Sequence, residues 1–194
     1  QDGERFKSIP TEDTTLKNSF KNSLALDETN LFYLNTYGSL YSINVNRKKI
    51  SWFINLNRSI DINSSNLFYS NPISIIDDRV IVTSDPYFYL LNKINGSIIS
   101  KTPINASFKP IISGDQLFLI TKKNLLVCID LKSGDIIYSL DIELEIAQLL
   151  DSKKKPINIK NFYLSNKNIL IFLNNSYIVS FTTLGKIKEV NKLP

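Results

Sequence analysis

The chain of 194 residues contains no histidine and one cysteine, Cys128. Histidine is the commonest general base and metal ligand near neutral pH, so its absence removes every Ser-His and Cys-His nucleophile arrangement. A single cysteine excludes an internal disulfide framework and any multi-cysteine metal site. Cys128 lies in an apolar run between Val127 and Ile129 and reads as a small core residue. No apolar run approaches the length of a membrane span, and no signal-peptide apolar region opens the chain. The chain begins at Gln1 rather than at a methionine, so it is expected to be a processed form or a piece of something longer, and a missing leader or anchor excludes no location.

What is present is ordinary for a globular protein: 43% hydrophobic and 21% charged residues. The net charge of +5 favours acidic partners in general. The lysines are scattered, however, and the tightest run, Lys153-Lys154-Lys155, reads as a solvated loop. Nucleic-acid recognition on a sheet requires aromatics interleaved with basic residues on one face. The aromatics here fall at core-facing strand positions instead, and no nucleic-acid partner is expected.

The dominant signal is internal repetition. Residues 1 to 22 are polar and read as a lead-in segment, with one strand over Leu16 to Phe20. The repeat region runs from 23 to 194. Its first unit, Leu24 to Leu56, reads as four strands: an apolar strand, a turn opened by Asp27, Asn30 to Leu34, a hairpin at Tyr37-Gly38, Leu40 to Asn44, a further turn and Ile50 to Leu56. The second unit, Ile73 to Ile104, keeps that order, with Asp77-Asp78, Asp85-Pro86 and Asn92 to Gly96 in the turns. The third, Pro110 to Ile142, has Asp115, Lys123-Asn124 and Asp130 to Gly134 in the same roles. The fourth, about Ile159 to Val190, is more degenerate and uses Asn174-Asn175 and Thr182 to Gly185.

The register can be counted. Eight residues separate Asn44 from Trp52, Asn92 from Ser100 and Asp130 from Tyr138. The turn Asp130-Leu-Lys-Ser-Gly134 therefore predicts a hairpin joining the last two strands of the third unit, capped by Asp130 and closed by Gly134 at positive φ. Four consecutive antiparallel strands with short turns form a meander, the shape of one β-propeller blade, so the fold class is all-β with about four blades. An unclosed stack leaves apolar blade faces exposed. A ring must therefore close, and four blades can close as a small one.

Two links between units stand out. Asn57 to Asn71 carries Leu67-Phe68-Tyr69, and Asp141 to Pro156 predicts a turn or two of helix with Leu144, Ala147 and Leu149-Leu150 on one face. The apolar residues of both links are expected to pack on the blade beneath. The recurrent Asp27, Asp77, Asp115 and Asp130 invite a carboxylate-pair or metal reading. Their fixed place beside turns favours capping. The Asn95-Gly-Ser and Asn105-Ala-Ser triplets are expected by chance in so Asn- and Ser-rich a chain. No catalytic, cofactor-binding or metal-binding residue is assigned.

The segments LFYLNTYGSLYSINVNRKKISWFINL and LLVCIDLKSGDIIYSL resemble the repeats of the pyrroloquinoline-quinone-type (PQQ-like) β-propeller superfamily. Its consensus joins an apolar strand, a Gly hairpin, Leu-x-Ala-Leu-Asp, a Gly turn and a closing Trp. Asn44 and Trp52 match the Asp and Trp positions in the first unit, and Asp130, Gly134 and Tyr138 match the third. The resemblance implies a seven- or eight-bladed ring, of which these residues are about half, or one half of a dimeric ring, and one of three branches. Quinoprotein dehydrogenases use a stacking Trp, acidic Ca²⁺ ligands and often a vicinal disulfide, which one Trp and one Cys do not supply. Sensor domains form a second branch. Non-enzymatic scaffolds of the BamB type, in outer-membrane β-barrel assembly, form the third. The implied reading is a non-catalytic, cofactor-free scaffold for protein partners on the periplasmic side of a bacterial envelope, reaching the membrane only through a missing lipid anchor or a partner. The alternative is a piece of a quinone-dependent or sensor propeller whose functional residues lie in other blades.

Overall fold

A computed structural model describes residues 8–11, 22–57 and 67–193. The strand expected over Leu16 to Phe20 lies outside them. The described chain forms sixteen strands and one helix. The strands are β1 (Ser23–Leu26), β2 (Asn30–Leu34), β3 (Ser39–Asn44), β4 (Lys49–Asn55), β5 (Ser74–Ile76), β6 (Arg79–Thr83), β7 (Phe88–Asn92), β8 (Ile98–Thr102), β9 (Ile111–Ser113), β10 (Gln116–Ile120), β11 (Leu125–Asp130), β12 (Ile136–Asp141), β13 (Ile159–Ser165), β14 (Asn168–Leu173), β15 (Tyr177–Thr182) and β16 (Ile187–Lys192). Helix α1 (Ile142–Leu149) lies between β12 and β13. The strands pair in chain order into four antiparallel four-stranded sheets, β1 to β4, β5 to β8, β9 to β12 and β13 to β16.

Alternation decides how the sheets stack. In β2, Phe32 and Leu34 point to one side and Leu31 and Tyr33 to the other. Three apolar clusters result, one at each junction between successive sheets. Phe32, Leu34 and Leu40 of the first sheet pack with Val80, Val82 and Tyr89 of the second. Ile81, Phe88 and Leu90 meet Leu117, Leu119 and Val127 at the next junction. Phe118, Ile120 and Cys128 meet Phe162, Ile169 and Ile171 at the last. The second and third sheets each lie between two neighbours and their middle strands are apolar on both sides, whereas the fourth strands β4, β8, β12 and β16 are largely exposed.

The predicted turn is present. Gly134 N–H donates to the Asp130 carbonyl at 2.8 Å, and Asp130 Oδ1 accepts from the N–H groups of Lys132 (2.8 Å) and Ser133 (2.9 Å). Asn44 and Asn92 cap the equivalent turns, accepting from Arg47 N at 2.7 Å and from Ile94 N at 2.9 Å.

Each sheet also has a bulge between its third and fourth strands that the count of eight does not reveal. Ser42 pairs with Trp52 but Ile43 pairs with Ile50. The same one-residue slip follows Leu90, Cys128 and Ser180. A bulge re-aims the side chain beside it, here Trp52, Ser100 and Tyr138. These three reach the β3–β4-type turn of the following sheet. Trp52 Nε1 donates to the Lys93 carbonyl at 2.9 Å, Ser100 Oγ to the Gly134 carbonyl at 3.4 Å, and Tyr138 OH to the Thr183 carbonyl at 3.0 Å. The turn glycines accept this approach because they lack a side chain: a Cβ on Gly96 would lie 2.5 Å from the Trp52 ring, and one on Gly134 would lie 2.2 Å from Ser100 Cβ. The repeated motif is thus an inter-sheet clasp as well as a hairpin.

The links differ from expectation in part. Phe68 is buried, donates its N–H to the Thr36 carbonyl at 2.8 Å and lies 6.2 Å from the Tyr89 ring, whereas Tyr69 is exposed. The helix forms, but on a different face. Ile142 and Ala147 are buried, with Ile146 packed beside them, while Leu144, Leu149 and Leu150 face outward. Asp141 caps the first turn through Leu144 N (3.1 Å) and starts the helix at Ile142, whose side chain joins the cluster around Phe162.

Candidate interaction surface

The four aspartates that invited a catalytic reading are spread over the turns. Asp27 Oδ1 accepts from Thr29 N (2.9 Å) and Asn30 N (2.7 Å), and its other oxygen meets Lys93 Nζ at 3.2 Å. Burial opposes its ionisation, but those two N–H groups and Lys93 outweigh burial and hold the carboxyl below its ordinary range. Asp130 is also held low, by the Ser133 and Lys132 N–H groups. Asp77 takes a left-handed turn conformation at φ +46°, and Asp115 pairs with Lys132 at 2.6 Å. Asp27 and Asp77 share one cleft of about 420 Å³ with Lys93. Asp77 and Asp115 line a second of about 220 Å³, beside Arg79 and Lys132. Lysine or arginine stands in each, and a carboxylate held low, as Asp27 is, is a poor proton donor at neutral pH. Among the described residues no group of three or more His, Cys, Asp or Glu side chains could hold a metal. Cys128 is fully buried, and burial pushes its thiol up to about 11, so it is a packing group rather than a nucleophile.

The surface most suited to a partner surrounds the β10–β11 turn. A cleft of about 450 Å³ opens between the second and third sheets, with Pro86, Pro103, Leu125, Val127 and Ile136 on its walls and Lys122 and Lys123 at its edge. Lys122 is tied to Asp85 at 2.5 Å, and Asp85 accepts from Asn105 Nδ2 at 2.7 Å, so the lip is cross-braced. Asn124 continues that turn to the helix, donating through Nδ2 to Glu143 Oε1 and to the Ile157 carbonyl, both at 3.0 Å. Helix α1 then presents Leu144, Leu149 and Leu150 outward, followed by Lys153 to Lys155. The arrangement is an apolar cleft and an apolar helix ridge with basic groups on the margin. Such a surface suits a partner with exposed apolar side chains and flanking acids. Sequence reading missed the cleft because its residues come from two turns, one link and the strands β11 and β12, with no local signature.

The helix depends on one residue. Lys154 hydrogen-bonds Asp141 at 2.5 Å, and this together with the Leu144 N–H holds the Asp141 carboxyl below its ordinary range, against burial. Asp141→Ala is expected to lower stability by about 1 kcal/mol, the usual cost of a lost N-cap, and to speed amide exchange in α1, measured by urea unfolding and hydrogen exchange. A lowered carboxyl stabilises the fold above its unfolded pKa and ceases to do so as pH falls through the folded value. The wild-type and Asp141→Ala stabilities should therefore converge in acid.

Meander sheets stacked face to face in chain order define a β-propeller architecture. No protein-family profile and no curated sequence matches this chain. Solved structures do. BamB from Moraxella catarrhalis superposes with a TM-score of 0.67 at 10% identity, over 96% of this chain and 54% of that one. The Pan2 WD40 domain of Neurospora crassa gives 0.55 at 12% identity, over 88% and 49%. A chain in the S. cerevisiae structure of Dbp5 bound to Nup159 and Gle1 gives 0.54 at 12%, over 90% and 44%. The likeness at these identities is one of fold, and the chain spans about half the length of the solved chains it matches.

Proposed function

We propose that this chain is a non-catalytic propeller scaffold for protein partners, of the PQQ-like BamB type, acting in outer-membrane β-barrel assembly on the periplasmic side of a bacterial envelope. The observation that carries the scaffold reading is the braced apolar cleft and helix ridge around the β10–β11 turn, rimmed by lysines. Rigid sheets hold these loops at low entropic cost on binding. The similarity to BamB across 96% of this chain motivates the assembly role.

The test is direct binding of the purified chain to purified components of the barrel-assembly machinery, read by calorimetry. Micromolar or tighter binding that Leu149→Asp/Leu150→Asp weakens at least tenfold supports the proposal. Both leucines are exposed, so that variant keeps its fold. Absence of binding to every component would sink the assembly role.

A further inference from the structure

The cleft beside the β10–β11 turn lies where the other two junctions between sheets carry a tyrosine. The one-residue slip that follows Leu90, Cys128 and Ser180 puts the last three sheets in a common register. In that register Tyr87 of the second sheet, Leu125 of the third and Tyr177 of the fourth share one position, and Tyr89, Val127 and Val179 share the next on the same face. Tyr89 belongs to the cluster between the first and second sheets, and Tyr87 packs against it with the two ring centres 6.0 Å apart, edge to face. Lys101 pairs with Tyr89 across the strands and holds its ammonium 4.0 Å from the centre of the Tyr87 ring. Tyr177 packs against the cluster between the third and fourth sheets. The middle junction has short groups instead: Leu125, Val127 and, paired with Val127 as Lys101 is with Tyr89, Ser139. All three line the cleft of about 450 Å³.

Two polar features narrow the occupant. Tyr89 OH donates to the Leu56 carbonyl at 3.1 Å. Ile104 follows Ser100 by four residues, as Leu56 follows Trp52, and it lines the cleft. Among the described residues no donor of the chain reaches the Ile104 carbonyl, so it is open to the kind of hydroxyl that Leu56 takes from Tyr89. At the edge of the cleft Asp85 is held by Lys122 and Asn105, whereas Lys123 is exposed and pairs with no acid among the described residues. An unpaired cation beside an apolar cleft favours an acid next to the inserted group. A buried aromatic anchor carries much of the affinity of such a contact.

We infer that the cleft between the second and third sheets receives a tyrosine side chain from an acidic segment of a protein partner, in the place that Tyr87 and Tyr177 fill at the other two junctions. The inference rests on the scaffold reading of this surface and names the chemistry it recognises. A short capped peptide, Gly-Ser-Glu-Tyr-Glu-Ser-Gly, titrated into the purified chain is expected to shift the methyl NMR signals of Leu125, Val127 and Ile136. Replacing its tyrosine by alanine should weaken binding at least tenfold. Replacing it by phenylalanine should cost about threefold, for the lost hydroxyl, and replacing both glutamates by lysine at least about threefold. Leu125→Tyr/Ser139→Lys copies the pair formed by Tyr87 and Lys101 and should fill the cleft and abolish binding. Lys123→Glu, at an exposed side chain, should keep the fold and weaken the peptide at least about threefold. No methyl shift up to about 1 mM peptide, equal affinity for the tyrosine and alanine peptides, or undiminished binding by either folded variant would each overturn the inference. Binding of barrel-assembly components without binding of the peptide would overturn the tyrosine inference and leave the scaffold reading standing. Binding of the peptide without those components would support the inference and overturn the assembly role.

Discussion

Gly134→Ala is expected to destabilise the protein by about 2 to 5 kcal/mol, although the turn it occupies lies at the surface. Two costs add. The residue sits at φ +81°, where a side chain costs about 1 to 2 kcal/mol. The new Cβ would also lie 2.2 Å from Ser100 Cβ, so two sheets must move apart, an overpacking cost of about 1 to 3 kcal/mol. Gly114 separates these costs. It has φ +57° and nothing within 4 Å of a would-be Cβ, so Gly114→Ala should cost only about 1 kcal/mol. Adding Ser100→Gly to Gly134→Ala removes the colliding atom and should recover the steric part, an interaction that a double-mutant cycle reads directly. Equal losses for Gly134→Ala and Gly114→Ala in urea unfolding would show that the inter-sheet clasp has no energetic weight.

Phe118→Ala is expected to cost about 3 to 5 kcal/mol, the range for emptying a buried aromatic site. Phe118 is fully buried and belongs to the cluster that joins the third sheet to the fourth. Rigid strands on both sides limit collapse around the cavity, which favours the upper half of that range. Domains are stable by only about 5 to 15 kcal/mol, so this one change removes a large fraction of the total. Leu184→Ala, at a side chain 83% exposed in the last β3–β4-type turn, should change stability by less than about 0.5 kcal/mol. A Phe118→Ala loss as small as that of Leu184→Ala would mean the last sheet is not held by this cluster.

The strands were legible because each repeat places strand and turn chemistry side by side. Asp130 to Gly134 showed a capped turn with a positive-φ position, and the same order of strands and turns recurred from unit to unit. The helix face was not legible. Leu144, Leu149 and Leu150 are as apolar as Ile142 and Ile146, and periodicity alone cannot say which stripe turns inward. The cluster around Phe162, which takes in Ile142 and Ile146, decided that.

The sequence by itself determined the local grammar of this protein: four meanders, their turns and the count of eight from turn to outer-strand residue. Those features depend on φ preferences and on contacts between residues a few positions apart, which any short stretch expresses. Only the tertiary structure decided that Trp52, Ser100 and Tyr138 leave their own sheets to clasp the next, that Asp85 pairs with Lys122, and that Pro86, Pro103 and Lys122 gather around one cleft. These contacts join residues about 20 to 50 positions apart. They arise from the stacking of sheets and the aim set by a bulge, and no local pattern encodes that stacking.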